Sequence, residues 1–449
     1  MQLDLTKGNI TKKILLFAFP MIIGNLLQQL YNIADTLIVG KFIGTNALAA
    51  VGSAYTLMVF ITSILLGLCM GSGAVFSIRY GEKNEEKLKE SLFVSFSLIL
   101  LITIILNILV FIFIDQILYF LNIPENIFMI MKSYTFIIFF GITATFLYNY
   151  YACVLRAVGN SIIPLVFLGI SAIINIILDL FFVITLNMGV EGAAIATVFS
   201  QYISGLGITI YTLFKFPDFR FKKKYMKWNK NILNEIFKFS FLTCIQQSIM
   251  NFGILMVQGL VNSFGATIMA AFAAAVKIDS FAYMPVQDFG NAFSTFIAQN
   301  YGAKETERIK KGIKSAITLS SIFCLIISFI VFVFAKQLML IFVNANETAI
   351  INAGIEYLRI EGAFYIGIGC LFLLYGIYRA IEKPLMSVIL TIISLGSRVF
   401  LAYTLSSISF IGVKGIWMSV PIGWALADIT GILYYLKNKN KIEKKLLSK

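Results

Sequence analysis

Runs of twenty or more mostly apolar residues recur along the whole chain, more than a soluble core can hide. A helix needs about 20 such residues to cross the hydrocarbon core of a bilayer. Lipid offers no hydrogen-bonding partners, so a spanning segment is a helix or part of a closed barrel. The runs are continuous and do not alternate with period two, which selects helices. Composition agrees: 59% of the 449 residues are hydrophobic and 13% charged, against about half and about a quarter in a soluble chain. The predicted fold class is an all-α polytopic membrane protein with twelve transmembrane helices, at about residues 14–39, 47–79, 88–114, 127–155, 161–186, 192–214, 232–262, 266–300, 312–335, 348–378, 384–409 and 412–436.

Charge placement orients these spans. If the N-terminus is cytoplasmic, the inside segments are the N-tail, 79–90, 156–160, 215–238, 301–314, 379–383 and the C-tail, and all but seven of the 36 Lys and Arg fall there. Of the seven, Lys41, Lys336 and Lys414 lie in outside loops, and Lys132, Lys277, Arg359 and Arg398 in or near spans. Such an excess sets orientation, so both termini are expected in the cytoplasm and the chain in the plasma membrane. The net charge of +14 is then topogenic, and no nucleic-acid partner is expected. The N-terminal MQLDLTKGNITKK is short and polar and no small-residue cleavage site follows, so no cleavable leader is expected. Cys69, Cys153, Cys244, Cys324 and Cys370 lie in apolar runs without metal-site spacing, and no disulfide is expected. The chain has no histidine, the commonest proton shuttle and metal ligand.

The chain is also a duplication. YGEKNEEKLKE (80–90) matches YGAKETERIKK (301–311), and FIGTNALAAV (42–51) matches SFGATIMAAF (263–272), both 221 residues on. Farther along the register becomes 223: LRAVG (155–159) meets YRAIE (378–382), and GVEG (189–192) meets GVKG (412–415). The expected organisation is two pseudo-symmetric six-helix lobes: an N-lobe over 1–214, a basic linker over 215–230, a C-lobe over 231–437 and a basic tail over 438–449. The stretch FKFPDFRFKKKYMKWNK (214–230) reads as a tether or as a contact for anionic lipid. Parallel repeats of this kind place a transport site between or within the lobes and open it to alternate sides by rocking.

Against the oily background, QQLYNIADTLIVG (28–40) stands out. Gln28 and Asp35 are seven apart, and Tyr31 and Asn32 precede Asp35 by four and three, so all four share one helical stripe. In the fifth span Asn175 and Asp179 are four apart and share a face; Thr197 lies in the sixth. Both acids fall at similar depth in the outer half. The repeat supplies a control, because the equivalents of Asp35, Asn175, Asp179 and Thr197 are Met256, Arg398, Ala402 and Val420. The acids belong to one lobe and are not required by the fold. Two carboxylates held close resist joint ionisation, and with Asn and Thr oxygens they can hold H⁺ or Na⁺. The plainer reading of Asp35 is a residue near enough to the outer interface to stay hydrated. Pro20 removes a hydrogen bond within the first span, as a hinge or as a static bend.

The second half has Lys277, Asp279 and Asp288 around Pro285 in the eighth span, with Arg398 in the eleventh able to pair with either acid. These read as a neutralised structural network or as a cavity lining. Glu356, Arg359 and Glu361 read as an interface cluster at the outer end of the tenth span. Phe, Tyr and Met are abundant, and such side chains make adaptable apolar walls that can attract organic cations.

FPMIIGNLLQQLYNIADTLIVGKFIG, LRAVGNSIIP, INIILDLFFV, GVEGAAIATVFSQ and FSTFIAQNYGA resemble the multidrug and toxic compound extrusion (MATE) transporters, over about residues 8 to 437. The resemblance implies twelve helices in two lobes and cation-coupled export of cationic or amphipathic compounds by alternating access. It also implies an N-lobe cation site carried on Asp35, Asn175, Asp179 and Thr197, with H⁺ or Na⁺ as coupling ion and no other cofactor. A monomer in contact with membrane lipid is expected. Some members carry functional acids in the seventh and tenth spans; here CIQQSIMNFGILMVQG and FYIGIGCLFLLYGIY contain none, so coupling is expected through the N-lobe. The rival is a flippase or carrier for a lipid-linked or other metabolite, which would need cationic groups in its cavity; only Lys277 and Arg398 are deeply placed. An intramembrane enzyme finds no Ser–His set, and no phosphate-binding G-x-x-x-x-G-K-[ST] occurs.

Overall fold

The structure, a computed structural model, describes residues 2–121 and 123–448. Its helices are α1 (Ile10–Phe42), α2 (Thr45–Gly81), α3 (Glu85–Phe120), α4 (Glu125–Phe139), α5 (Ile142–Ala157), α6 (Ile162–Asp179), α7 (Gly189–Lys215), α8 (Lys230–Asn262), α9 (Ala266–Gly302), α10 (Thr306–Val333), α11 (Ala335–Leu340), α12 (Thr348–Gly362), α13 (Tyr365–Ala380), α14 (Pro384–Ser406) and α15 (Lys414–Ser448). Ten are long and apolar enough to cross a membrane alone. Two bent pairs, α4–α5 at 45° and α12–α13 at 50°, bring the spans among the described residues to twelve when each pair is taken as one. The protein is thus an all-helical, multi-pass membrane protein, as the apolar runs require.

The duplication is visible in the backbone. Residues of positive φ recur at the repeat registers: Gly44 with Gly265, Lys83 with Lys304, Gly159 with Glu382 and Gly189 with Gly412. The breaks in the two bent spans, at residues 140–141 and 363–364, are also 223 apart. Turn geometry is repeated even where side-chain identity is not.

Two compact units divide the chain: Met1–Asp4 with Ile23–Cys244, and Leu5–Ile22 with Ile245–Lys449. The division falls inside α1, two residues beyond Pro20, and inside α8, not in the 215–230 linker. Glycines explain the allocation of α8. Gly67 and Gly71 present bare backbone one turn apart on α2; a Cβ on Gly67 would lie 2.5 Å from Cys244 Cα, and one on Gly71 2.4 Å from Phe239 O. Small residues four apart let helices in lipid approach this closely. The Ser72 and Ser240 hydroxyls, 2.8 Å apart, and Arg79, bonded to Glu82 at 2.9 Å and to Glu235, fasten the same pair of helices.

The residues before α1 are similarly tied. In the first unit, Leu3 N donates to Gly159 O at 2.9 Å and Gln2 Nε2 to Tyr80 Oη at 3.0 Å. In the second, Asn300 Nδ2 and Arg308 Nη2 donate to Leu5 O at 3.2 and 3.1 Å, and Arg308 Nη1 to Gly8 O at 2.9 Å. Gly159 has φ +84°, and a Cβ there would come 1.9 Å from Leu3 O. Gly159→Ala is therefore expected to displace Leu3 and to cost about 1–3 kcal/mol through backbone strain and the lost seat. A thermal melt of the purified protein checks this; an unchanged midpoint would show that Leu3 does not need this seat.

Candidate functional site

The acids of the first unit meet where three helices pass. Asp35 stands on α1. Asp179 closes the regular part of α6, with Asn175 one turn before it, and Thr197 lies on the facing side of α7. Immediately after Asp179 the chain winds into a π-helical segment, Leu180–Thr185. The equivalent helix of the other half, α14, stays α-helical to Ser406. Wide turns of this type are rare and concentrate at functional sites.

The side chains of Asp35 and Asp179 lie against each other. Asp179 is fully buried, Asn175 and Thr197 are buried, and Asp35 is half-buried with its Oδ1 covered. Asn175 Nδ2 donates to Thr197 Oγ1 at 3.3 Å. Asp35 Oδ1, Asn175 Oδ1 and both carboxylate oxygens of Asp179 are buried without a hydrogen-bond partner among the described residues. Two carboxyls thus face each other, with the Asn175 amide one helical turn from Asp179, and none of these four oxygens has a donor among the described residues. Groups of that kind are costly to bury unless a cation neutralises them, and H⁺ or Na⁺ suits an all-oxygen set. Ile38, Val39, Ala50, Val51, Ile114 and Val183 belong to a buried apolar cluster at the end of the unit where α1 turns into α2. That cluster places apolar packing, not a wet interface, beyond Asp35.

The remaining sequence candidates on α1 divide. Tyr31 hydrogen-bonds Gln28 and is near enough to Asp35, Tyr55 and Tyr148 for their charges to act on it. Asn32 is half-buried, and its carbonyl accepts from Thr36 Oγ1 at 2.8 Å. Pro20 is buried inside α1. Tyr134 of α4, buried beside both Asp35 and Asp179, is a site residue the sequence reading missed. One tyrosine among 20 carries no signal until the packing of its helix is known.

In the second unit the sequence grouping is rearranged. Lys277 is exposed, whereas Asp279, two residues on, is buried; Asp288 is buried farther along α9. The groups facing Asp279 are Glu361, Tyr365 and Arg398. Glu361 does not belong to an interface cluster: it is 2% exposed. Glu356 instead pairs with Lys414 at 2.6 Å, and Arg359 is exposed with its guanidinium 5.5 Å from the Phe332 ring centre. Five helical residues turn the side chain by about 140°, so Glu356 and Glu361 face opposite ways. Because the tenth span breaks after α12, Glu361 stands near its middle. Asp428 of α15, a further acid outside the sequence grouping, is buried beside Cys370, with Oδ1 lacking a hydrogen-bond partner among the described residues.

A family model described as MatE matches residues 20–181 and 240–404. The chain is a MATE family transporter. The two matched stretches reproduce the duplication and carry Asp35, Asn175 and Asp179. Over 438 residues this MATE chain is 28% identical to the probable multidrug resistance protein YoeA of Bacillus subtilis strain 168, covering 96% of this chain and 94% of that one. It is 25% identical over 450 residues to the FAD transporter of Shewanella oneidensis, covering 97% and 96%. Its fold superposes on an outward-facing multidrug resistance MATE transporter of the MOP superfamily with a TM-score of 0.92, at 24% identity and 98% coverage of both chains. MATE proteins are multidrug efflux transporters and not enzymes.

One consequence of the site geometry concerns stability. Thr197→Val keeps the side-chain shape and removes the oxygen that accepts from Asn175. Leaving that buried amide unpaired is expected to cost about 1–2 kcal/mol. An unaltered melting midpoint would show that the Asn175–Thr197 bond contributes nothing.

Proposed function

We propose that the protein exports cationic or amphipathic organic compounds in exchange for H⁺ or Na⁺ entering the cell, with the coupling cation bound by Asp35, Asn175, Asp179 and Thr197. The observation that carries this is that the Asp35 and Asp179 carboxyls lie against each other and that their buried oxygens, with that of Asn175 one turn away, have no hydrogen-bond donor among the described residues. Membership of a multidrug efflux family supports the export direction. The acids occur in one repeat only, which suits a dedicated ion site. Pro20, next to the division of α1 between the two units, serves as the hinge through which the cation state reaches the helix. The transporter sits in the plasma membrane as a monomer, both termini cytoplasmic.

The energetics are adequate. One positive charge moving down 100 mV releases about 2.3 kcal/mol, and each tenfold substrate gradient takes about 1.4 kcal/mol. One cation thus sustains a gradient of about fortyfold for a neutral substrate. The test is ethidium efflux from vesicles containing the wild-type protein under an imposed pH or Na⁺ gradient. One of the two should drive efflux; indifference to both sinks the proposal.

A second reading, a carrier for a large anionic metabolite, is favoured by the relative called an FAD transporter and by the Arg398 guanidinium beside Asp279 and Glu361. FAD that moves on the same gradient and competes with ethidium would favour it; FAD that does neither removes it.

A further inference from the structure

The segment 214–230 is folded, and the transport site does not use it. Two short 3₁₀ turns, Pro217–Phe219 and Lys223–Tyr225, shape it. Phe221 packs against Phe96 and Phe93, with ring centres 5.2 and 5.9 Å apart, and Trp228 meets Phe93 at 6.1 Å. Lys89 of α3 reaches Asp218 at 3.6 Å, and Lys224 reaches Glu86 at 3.6 Å. The linker is therefore latched onto the first turns of α3 rather than looped into solvent.

The latch leaves an outer surface of unusual composition. Lys222, Lys223, Lys227 and Lys230 are exposed and make no ion pair among the described residues. Trp228 is 58% exposed on the same segment, and Met226 and Phe214 are exposed with it. A loop that only set topology would need the lysines but neither the aromatic latch nor exposed apolar side chains. The segment joins the ends of two spanning helices, α7 and α8, so it lies at the membrane boundary. Tryptophan is enriched at that depth, and unpaired lysines there attract anionic lipid.

We infer that residues 214–230 form a binding surface for the phosphodiester headgroups of anionic phospholipids. The lysines contact the phosphates, and Trp228 with Met226 enters the acyl boundary below them. Each lysine near an anionic surface contributes about fivefold, so removing three weakens binding on the order of a hundredfold.

The experiment uses full-length purified protein in detergent, titrated with phosphatidylglycerol, phosphatidylcholine or inorganic phosphate while thermal unfolding is followed. Phosphatidylglycerol should raise the midpoint, and the other two should not. Lys222→Gln, Lys223→Gln and Lys227→Gln together should abolish that rise. The matched triple Lys304→Gln, Lys311→Gln and Lys314→Gln, on another exposed basic segment, should keep it. Equal loss in both triples, retention in the linker triple, or an equal rise with phosphate alone would overturn the proposal. A photoactivatable phosphatidylglycerol on wild-type protein provides a readout independent of any variant: crosslinks should map within 214–230, and crosslinks confined elsewhere would overturn it.

Discussion

Replacing Asp179 by Asn should leave a folded transporter that no longer concentrates its substrate. The two side chains have the same shape, so packing between α6 and α7 is retained, and the amide cannot carry the charge that an entering cation neutralises. Ethidium is itself a cation, so one-for-one exchange moves no net charge and a tenfold cation gradient sustains about a tenfold ethidium ratio; in the variant that ratio falls towards unity. Asp35→Asn should behave alike, because the two carboxyls lie against each other. Binding of ethidium to the detergent-solubilised variants separates lost coupling from lost structure: it should persist in both. Full gradient-driven accumulation by both variants would remove these acids from the coupling mechanism.

The second large effect lies in the other unit. Arg398 is the cation whose field acts on both Asp279 and Glu361, and both acids are buried. Arg398→Met should therefore destabilise the protein, by less than the about 3–5 kcal/mol that breaking a directly paired buried charge costs, because its guanidinium acts on the two acids from beyond ion-pair contact. Adding Asp279→Asn and Glu361→Gln to that variant should restore most of the loss, since a neutral cluster has no charge to strand. Urea or thermal unfolding of the single and triple variants measures this. A triple variant no more stable than Arg398→Met would mean that Arg398 acts through packing and not through the two acids.

These predictions draw unequally on the sequence. The twelve spans were legible because lipid tolerates so few backbone solutions, and the repeat located the turns between them. The face shared by Asn175 and Asp179 followed from helical periodicity, and Met256 and Ala402 marked the acids as particular to one half. Periodicity says nothing about which helices touch. Tyr134 becomes a neighbour of Asp35 and Asp179 only through the packing of α4 beside α2 and α7. Nearness in the chain groups Glu361 with Glu356, although the helix turns them to opposite faces. Lys277 and Asp279 differ in the same way, one exposed and one buried. The π-helical segment after Asp179 leaves no mark in LFFVIT, since its geometry comes from packing and not from any residue that demands it.

The division of α1 and α8 bears on how the protein is made. The first unit is incomplete until Cys244 has been synthesised, well beyond the last residue of α7. The second needs Leu5–Ile22, which are synthesised before nearly all of the first unit and must wait for Ile245 onward before their partners exist. Multidomain chains ordinarily fold from the N-terminus forward, one domain at a time. Here Leu5–Ile22 are held in reserve until the residues of the first unit have followed them. A gene cut at the basic linker would yield two fragments, each missing part of its own unit, and neither half is a free-standing module that could be borrowed alone.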